Sequence, residues 1–385
     1  MTTDLDHLSA SARNASLQEL VTLLERQQAA KHDVVVAASA LRCERGMLRA
    51  TNTHQRFDLD GVTRRDALLA PTRLAEAGMA DRFRIPTDYL RRMRAEHLDL
   101  YDANVNGWLG HQPERRFLVR GLVDHSGAGV LRALLSDAFR IVDHLDVLMT
   151  VLDGVSEAGA AVDVAQADLT EARMYLKIRS REIATMAPQL LRNYTSPFTR
   201  ARGAENPLVF AGFVVSNSET GHGAFTISPQ ITVQICDNGM TLTKHAHREV
   251  HLGGKLPAGA IRWNQDTHDA SLALVRKCTR DAVATFLSED FLSRRIAELE
   301  QDASTPVRDP QPLIEHVGAR LRFSETARAA ILNRFIEGGD MTSGGMMHAV
   351  TAAAQDMADA DESHALEAAG VEAMQRAAAF VRAGT

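Results

Sequence analysis

Apolar and polar positions change period along this chain, and each period predicts a different kind of element. Ser16 followed three residues later by Glu19 is a capping box, in which the hydroxyl meets the third amide and the Glu reaches back to the cap. It opens an amphipathic helix, LQELVTLLERQQAAK. DVVVAAS at 33–39 is an apolar strand. Residues 71–109 carry helical spacing in three pieces: PTRLAEAGMADRF, PTDYLRRMRAEH with Pro86 at a helix start, and DLYDANVNGWLG. RFLVRGLVD and VLRALLSD read as a strand pair around the turn HSGAG at 125–129. Asp143 then stands as the cap of the helix HLDVLMTVLDGVSEAG.

Period two dominates the middle. EARMYLKIRSRE is a strand, and the Pro/Gly-containing connection YTSPFTRARGAENP leads into a β-meander. LVFAGFVVS and AFTISPQITVQIC are its first strands, and Asp237-Asn238-Gly239 is a type I′ hairpin signal into MTLTKHAH. From about residue 267 the period becomes helical, in HDASLALVRKCTRDAVATFLS, SRRIAELEQ, SETARAAILNRFIEGG, TSGGMMHAVTAAAQDMA and ESHALEAAGVEAMQRAAAFV. Gly338-Gly339 is a helix stop, Asp340 or Thr342 a helix cap, and Met346 and Met347 core filler. The fold class is therefore α+β: an antiparallel β-meander core with helices over 1–266, followed by an all-helical C-terminal region over 267–385.

Composition narrows the function. The chain of 385 residues has ordinary apolar and charged fractions, and three widely spaced cysteines, Cys43, Cys236 and Cys278, outside any metal or disulfide spacing. No run of 18 apolar residues and no secretory leader is visible, which points to the cytoplasm. The formal charge is −6, yet its distribution is uneven. Residues 170–280 hold 14 Lys and Arg against 8 Asp and Glu, whereas residues 281–385 hold 9 against 17. A basic middle precedes an acidic helical tail.

The basic middle contains the strongest candidate for a function. On a strand, alternate side chains share a face. Arg173, Tyr175, Lys177, Arg179 and Arg181 then form one face, and Met174, Leu176, Ile178 and Ser180 the other. Neighbours on a face stand about 6.6 Å apart, close to roughly twice the 3.4 Å rise per nucleotide. Four cations around an aromatic fit a single nucleic-acid strand, with Tyr175 stacking a base for about 1–3 kcal/mol. Arg192, Arg200 and Arg202, and Lys244, Arg248 and Lys255, extend such a groove, and Arg115, Arg116 and Arg120 form another patch. The alternative is a solvated face whose cations pair with carboxylates.

Two further clusters bear on chemistry. The loop SNSETGHG carries Ser216, Asn217, Ser218, Glu219 and His222, the residue types of a catalytic triad, but no GxSxG elbow accompanies them. The structural reading gives Asn217 and Gly221 the left-handed backbone of a turn. A ligand-binding loop of Asn217, Ser218, Glu219 and His222 at the sheet edge is the other reading. His245, His247 and His251, with Glu249, have HxH and HxxxH spacing that suits a divalent metal, although Lys244 and Arg248 oppose a cation there. P-loop and dinucleotide fingerprints are both absent, so no cofactor is expected. Trp108 and Trp263, beside Asn106 and Asn264, read as buried indoles needing a partner.

Several stretches resemble a known family. LLSDAFRIVDHLDVL, VFAGFVVSNSETGHGAFTISPQITVQICDNGM, VHLGGKL, DAVATFLSEDFL and GGDMTSGGMMHAVTAAAQDMADAD are similar to the phage/plasmid-like family known as domain of unknown function 932, in its actinobacterial and actinophage form. The resemblance spans nearly the whole chain. It implies a protein of mobile elements, near replication and recombination functions, with no catalytic residue to carry over. By analogy of fold it suggests the single-strand annealing proteins of phages, with a curved sheet, a basic groove and assembly into oligomers. The expectation is a non-enzymatic, oligomeric protein binding single-stranded DNA. The alternatives are a metal-dependent hydrolase or nuclease built on the histidines, and a structural phage protein that binds other proteins.

Overall fold

The structure is a computed structural model that describes residues 9–51, 56–58, 61–63, 66–124, 127–139, 141–237, 239–249 and 265–383. The chain begins with β1 (Ala12–Ala15) and α1 (Leu17–Ala30), where Ser16 and Glu19 form the capping box in full. Next come β2 (Lys31–Ala37), β3 (Leu41–Glu44), β4 (Met47–Ala50), β5 (Arg56–Asp58), β6 (Gly61–Thr63) and β7 (Ala67–Pro71). Three helices follow, α2 (Arg73–Phe83), α3 (Thr87–Glu96) with Pro86 at its cap, and α4 (Leu98–His111). Then come β8 (Arg116–Val123), β9 (Ala128–Ser136), α5 (His144–Ala158), β10 (Val162–Leu169), β11 (Met174–Met186) and the short α6 (Pro188–Leu191). The meander is β12 (Leu208–Asn217), β13 (Phe225–Val233), β14 (Gly239–Thr241) and β15 (His247–Glu249). Helices close the chain: α7 (Gln265–Phe286), α8 (Glu289–Ala303), α9 (Pro310–Leu321), α10 (Glu325–Gly338), α11 (Ser343–Asp356) and α12 (Ala360–Ala383).

Among the described residues the strands form two large sheets and a small one. The first has the order β1-β10-β11-β12-β13-β14, with β15 also on β13, and every pair is antiparallel. The second has the order β2-β8-β9-β7-β4-β3, where only β7 and β9 run parallel. The small sheet is the β5-β6 pair. The fold is mixed α+β with an all-helical C-terminal region, as the change of period predicts.

Each sheet is covered on one face by helices from its own neighbourhood. In the second, Val119, Leu131 and Leu134 pack against Met79, Leu90, Tyr101 and Val105 of α2–α4. In the first, Met174, Leu176, Ile178, Phe213 and Val215 meet Leu20 and Leu24 of α1, Val147 and Val151 of α5, and Val283 and Phe286 of α7. Gly154 allows the close crossing of α5 on α7, since a Cβ there would lie 2.8 Å from the Arg276 carbonyl. The C-terminal helices share a core with the far end of the first sheet, where Val209, Ile231 and Met240 meet Leu292, Ile296, Met347 and Met374.

Several local expectations take a different form. Thr232 pairs with Gly239, so the connection after Val233 is longer than a two-residue I′ hairpin; Asn238 lies outside the described residues. Asp143 sits at the N-cap of α5, but its carboxylate makes no cap bond and serves an ion network instead. Trp108 is 42% exposed, so the expectation of a buried indole does not hold for it; Trp263 lies outside the described residues. Thr342 caps α11 and accepts from the Gly345 amide, while Asp340 in turn accepts from the Thr342 hydroxyl.

Candidate functional site

The basic strand face is the first place to look, and at Tyr175 and Lys177 it is closed. Met174, Leu176, Ile178 and Ser180 of β11 face the core as alternation requires. The opposite face belongs to a polar layer of the sheet, where Tyr175 pairs with Asp168 and Ser216, and Lys177 with Gln166 and Val214. Helix α12 lies over this layer. Asp361, His364 and Glu367 recur every three residues, so they project from one side of α12. The Tyr175 hydroxyl donates to Asp361 at 2.7 Å, its ring stacks on His364 at 3.8 Å, and Lys177 Nζ donates to Glu367 at 2.7 Å. Tyr175 is 5% and Lys177 8% exposed. The expectation that Arg173, Tyr175, Lys177, Arg179 and Arg181 form an open groove is therefore corrected. Arg173 donates to the His222 carbonyl, Arg179 to Asp237 at 2.7 Å, and Arg181 pairs with Asp163. A polar sheet face cannot be left unpaired under a helix, so the helix carries matching charges.

Asp168 anchors the same layer. Fully buried, it accepts from Arg13 at 2.9 Å, the Asn14 amide at 2.7 Å, Gln166 at 2.7 Å and His364 Nε2 at 2.8 Å. Burial opposes its ionisation, and the His364 and Asn14 hydrogen bonds outweigh burial, so its carboxyl lies below the usual range. Burial pushes the His364 imidazole below its ordinary value, although the Asp168 hydrogen bond resists the shift.

The SNSETGHG loop is internal. Asn217 and Ser218 are fully buried and Glu219 is 6% exposed. Glu219 accepts from Arg132 at 2.6 Å and from the His144 amide at 2.5 Å, and its carbonyl accepts from Arg120 at 2.8 Å. Arg120 continues to Asp33 at 2.9 Å and Asp143 at 2.8 Å, and Lys31 pairs with Asp143 at 2.5 Å. Three cations and three carboxylates thus balance where β2, β8 and β9 of the second sheet meet the end of β12 and the start of α5. Burial opposes ionisation of Glu219, and the charges of His144, Arg132 and Arg120 outweigh it, so the carboxyl lies far below the usual range. Burial, with Arg132 and Arg120 nearby, pulls His144 down to about 4. Asn217 Nδ2 donates to His144 Nδ1 at 3.0 Å, so the neutral ring carries its proton on Nε2.

These contacts correct the reading of a binding loop. Asn217, Ser218 and Glu219 are locked into protein, with the Ser218 hydroxyl donating to the Ala172 carbonyl at 2.7 Å. Only His222 of the four is exposed, and its Nδ1 lies 3.0 Å from the Thr220 carbonyl. Gly221 has the expected left-handed backbone, with φ +84°, but Asn217 continues β12 and has no positive φ. Arg120, expected in a surface patch with Arg115 and Arg116, is 2% exposed. The signal for this network is faint in sequence, since Asp33, Arg120 and Arg132 are isolated charges within apolar strands.

Open cations remain on the connection between α6 and β12. Arg192, Arg200 and Arg202 are exposed, and none has a side-chain partner among the described residues. The connection is well held. Ser196 and Ala201 are bonded at 2.9 Å, Gly203 and Tyr194 at 2.9 Å, Thr195 and Arg202 form a bridge, and the Thr199 hydroxyl donates to the Ile235 carbonyl at 2.7 Å. Arg200 itself takes a left-handed backbone, φ +62°. Phe198 stands beside these arginines, 40% exposed, with the Arg334 guanidinium 4.6 Å over its ring. Arg334 is held by Asp356 and Glu337.

The other candidates disperse. Lys244 is exposed and donates to Gln375 at 2.8 Å. His245 ends a short 3₁₀ turn, 2.9 Å from Arg295, while His247 lies on β15, so the two do not share a strand face. Burial and the Arg295 charge hold His245 below its ordinary value. Among the described residues no group of three or more His, Cys, Asp or Glu is arranged to hold a metal ion. His251 and Lys255 lie outside the described residues, as does the Arg248 side chain. Among the described residues no helix is long and apolar enough to cross a membrane. No family model, curated protein or solved structure matches the chain.

Proposed function

We propose that the protein binds single-stranded DNA as a non-enzymatic component of a mobile element, through the connection 192–203 in place of the covered strand face. The observation that supports this most is the set of three exposed arginines, Arg192, Arg200 and Arg202, without a side-chain partner among the described residues, on the same connection as the exposed ring of Phe198. Guanidinium groups neutralise phosphates, and an aromatic with one face already covered by Arg334 offers the other to a base. The hydrogen bonds inside the connection fix the backbone that carries these groups before a strand arrives, which lowers the ordering cost of binding. The resemblance of the quoted motifs to phage- and plasmid-borne proteins supports the same reading.

The test is fluorescence polarisation of labelled single- and double-stranded DNA across a salt series. Wild-type affinity should fall steeply with salt, with a preference for single strands. Replacing Arg192, Arg200 and Arg202 together by Ala should weaken binding at least tenfold across sequences and reduce the salt slope by about 2, from roughly 0.7 per phosphate. Phe198→Ala should cost about 1–3 kcal/mol. Unchanged affinity in the triple variant would overturn the proposal.

A further inference from the structure

A cavity of about 400 Å³ opens far from that connection, at the opposite end of β11. It lies where the β10–β11 turn, the start of α2 and the start of α12 meet, and its lining includes Arg13, Arg73, Arg91, Glu171, Asp359 and Asp361. We infer that it binds a zwitterion, a short peptide with free ammonium and carboxylate ends. This inference is independent of nucleic-acid binding.

The size fits an organic ligand better than a lone ion, because ligand pockets run from about 300 to 1,000 Å³. The charge is divided by element. Arg73 and Arg91 come from α2 and α3; Glu171, Asp359 and Asp361 come from the β10–β11 turn and the start of α12. Several of these groups are already engaged. Arg13 pairs with Asp168 at 2.9 Å, Asp361 accepts from Tyr175 at 2.7 Å, Asp359 accepts from the Glu362 amide at 2.8 Å, and Arg91 donates to the Arg73 carbonyl at 2.9 Å. Arg73 and Glu171 are exposed, and neither side chain has a partner among the described residues.

That leaves one free cation and one free anion on different walls. A simple anion would meet three carboxylates, and a simple cation would meet three guanidinium groups, of which Arg13 is already paired with Asp168. A molecule with one charge at each end satisfies both walls, its carboxylate on Arg73 and Arg91 and its ammonium on Glu171 and its acidic neighbours. The ends of a dipeptide lie roughly 7 Å apart when extended, at 3.3–3.6 Å per residue, which suits opposite walls better than the adjacent charges of one α-amino acid.

The experiment is calorimetric titration of the full chain with unblocked dipeptides and tripeptides of varied side chain, and with the same peptides N-acetylated or C-amidated. Unblocked peptides should bind, and blocking either end should weaken binding at least tenfold. Arg73→Ala should remove the distinction between free and amidated C-termini, and Glu171→Gln that between free and acetylated N-termini. Both side chains are exposed, so unchanged melting temperatures check that the variants fold. Absence of heat with every unblocked peptide at millimolar concentration, or equal binding of blocked and unblocked forms, overturns the inference.

Discussion

At the scale of single residues, the buried ion network sets each charge beside an opposite one. Glu219 illustrates this, with Arg132, Arg120 and the His144 amide around it. Glu219→Gln keeps the shape but leaves Arg132 buried without its anion, and removal of one member of a buried pair costs about 3–5 kcal/mol. Urea unfolding should show a loss of that order. The same cluster sets a pH dependence. His144 is pulled down to about 4 in the folded chain from an ordinary 6.5, so between those values the unfolded chain binds the extra proton. Stability is then present above pH 6.5 and is lost as pH falls toward 4. His364 is shifted in the same direction and adds to the loss. The urea midpoint measured from pH 7.5 to 4 should fall steadily below 6.5, and His144→Asn should flatten part of that slope.

At the scale of elements, β11 and α12 form a matched pair. A sheet whose second face is polar needs a covering helix with polar groups in register, and Asp361, His364 and Glu367 supply them. Lys177→Met alone leaves Glu367 buried and short of a cation, and should destabilise by about 3–5 kcal/mol. Adding Glu367→Met should recover most of that loss, because well-packed apolar pairs replace buried ion pairs at little cost. A double-mutant cycle in urea checks the coupling; simple additivity would count against a direct pair. Not every element was legible. VDVAQADL, the strand β10, lacks clear alternation because a register shift between Val164 and Gln166 moves the core-facing positions from Val162 and Val164 to Ala167 and Leu169. PQPLIEHVGARL is not among the helices that periodicity assigns, yet Pro310 occupies the first helical position of α9, where no amide bond is lost.

At the scale of the whole molecule, the C-terminal helices complete the sheet. Met347 of α11 and Met374 of α12 share a core with Val209 and Ile231 of the meander. Ending the chain at Met357 therefore removes half of the polar pairing on β11 and part of that core. The shortened chain should lose cooperative unfolding and bind a hydrophobic dye, as seen by calorimetry and fluorescence. A shortened chain with an intact melting transition would show that α12 is dispensable. The asymmetry of charge acquires a physical meaning here, since part of the acidic tail neutralises part of the basic middle. The arginines of 192–203 are among those that this pairing does not reach.

The α+β class, the change to helices near residue 267, the capping box at Ser16 and the Gly338-Gly339 stop were determined by sequence alone. Each follows from local periodicity or from backbone preference within a few residues. The identity of the apolar face of β11 was determined in the same way, because alternation needs no knowledge of what lies across the sheet. Which cations stay open was decided by tertiary structure. Period two places Tyr175 and Lys177 on a shared face, but only the packing of α12, nearly two hundred positions along the chain, closes that face. The fate of SNSETGHG was decided likewise, since a Glu in a polar loop looks exposed until the two sheets meet around it. Charge pairing acts through space, and its partners carry no fixed spacing along the chain.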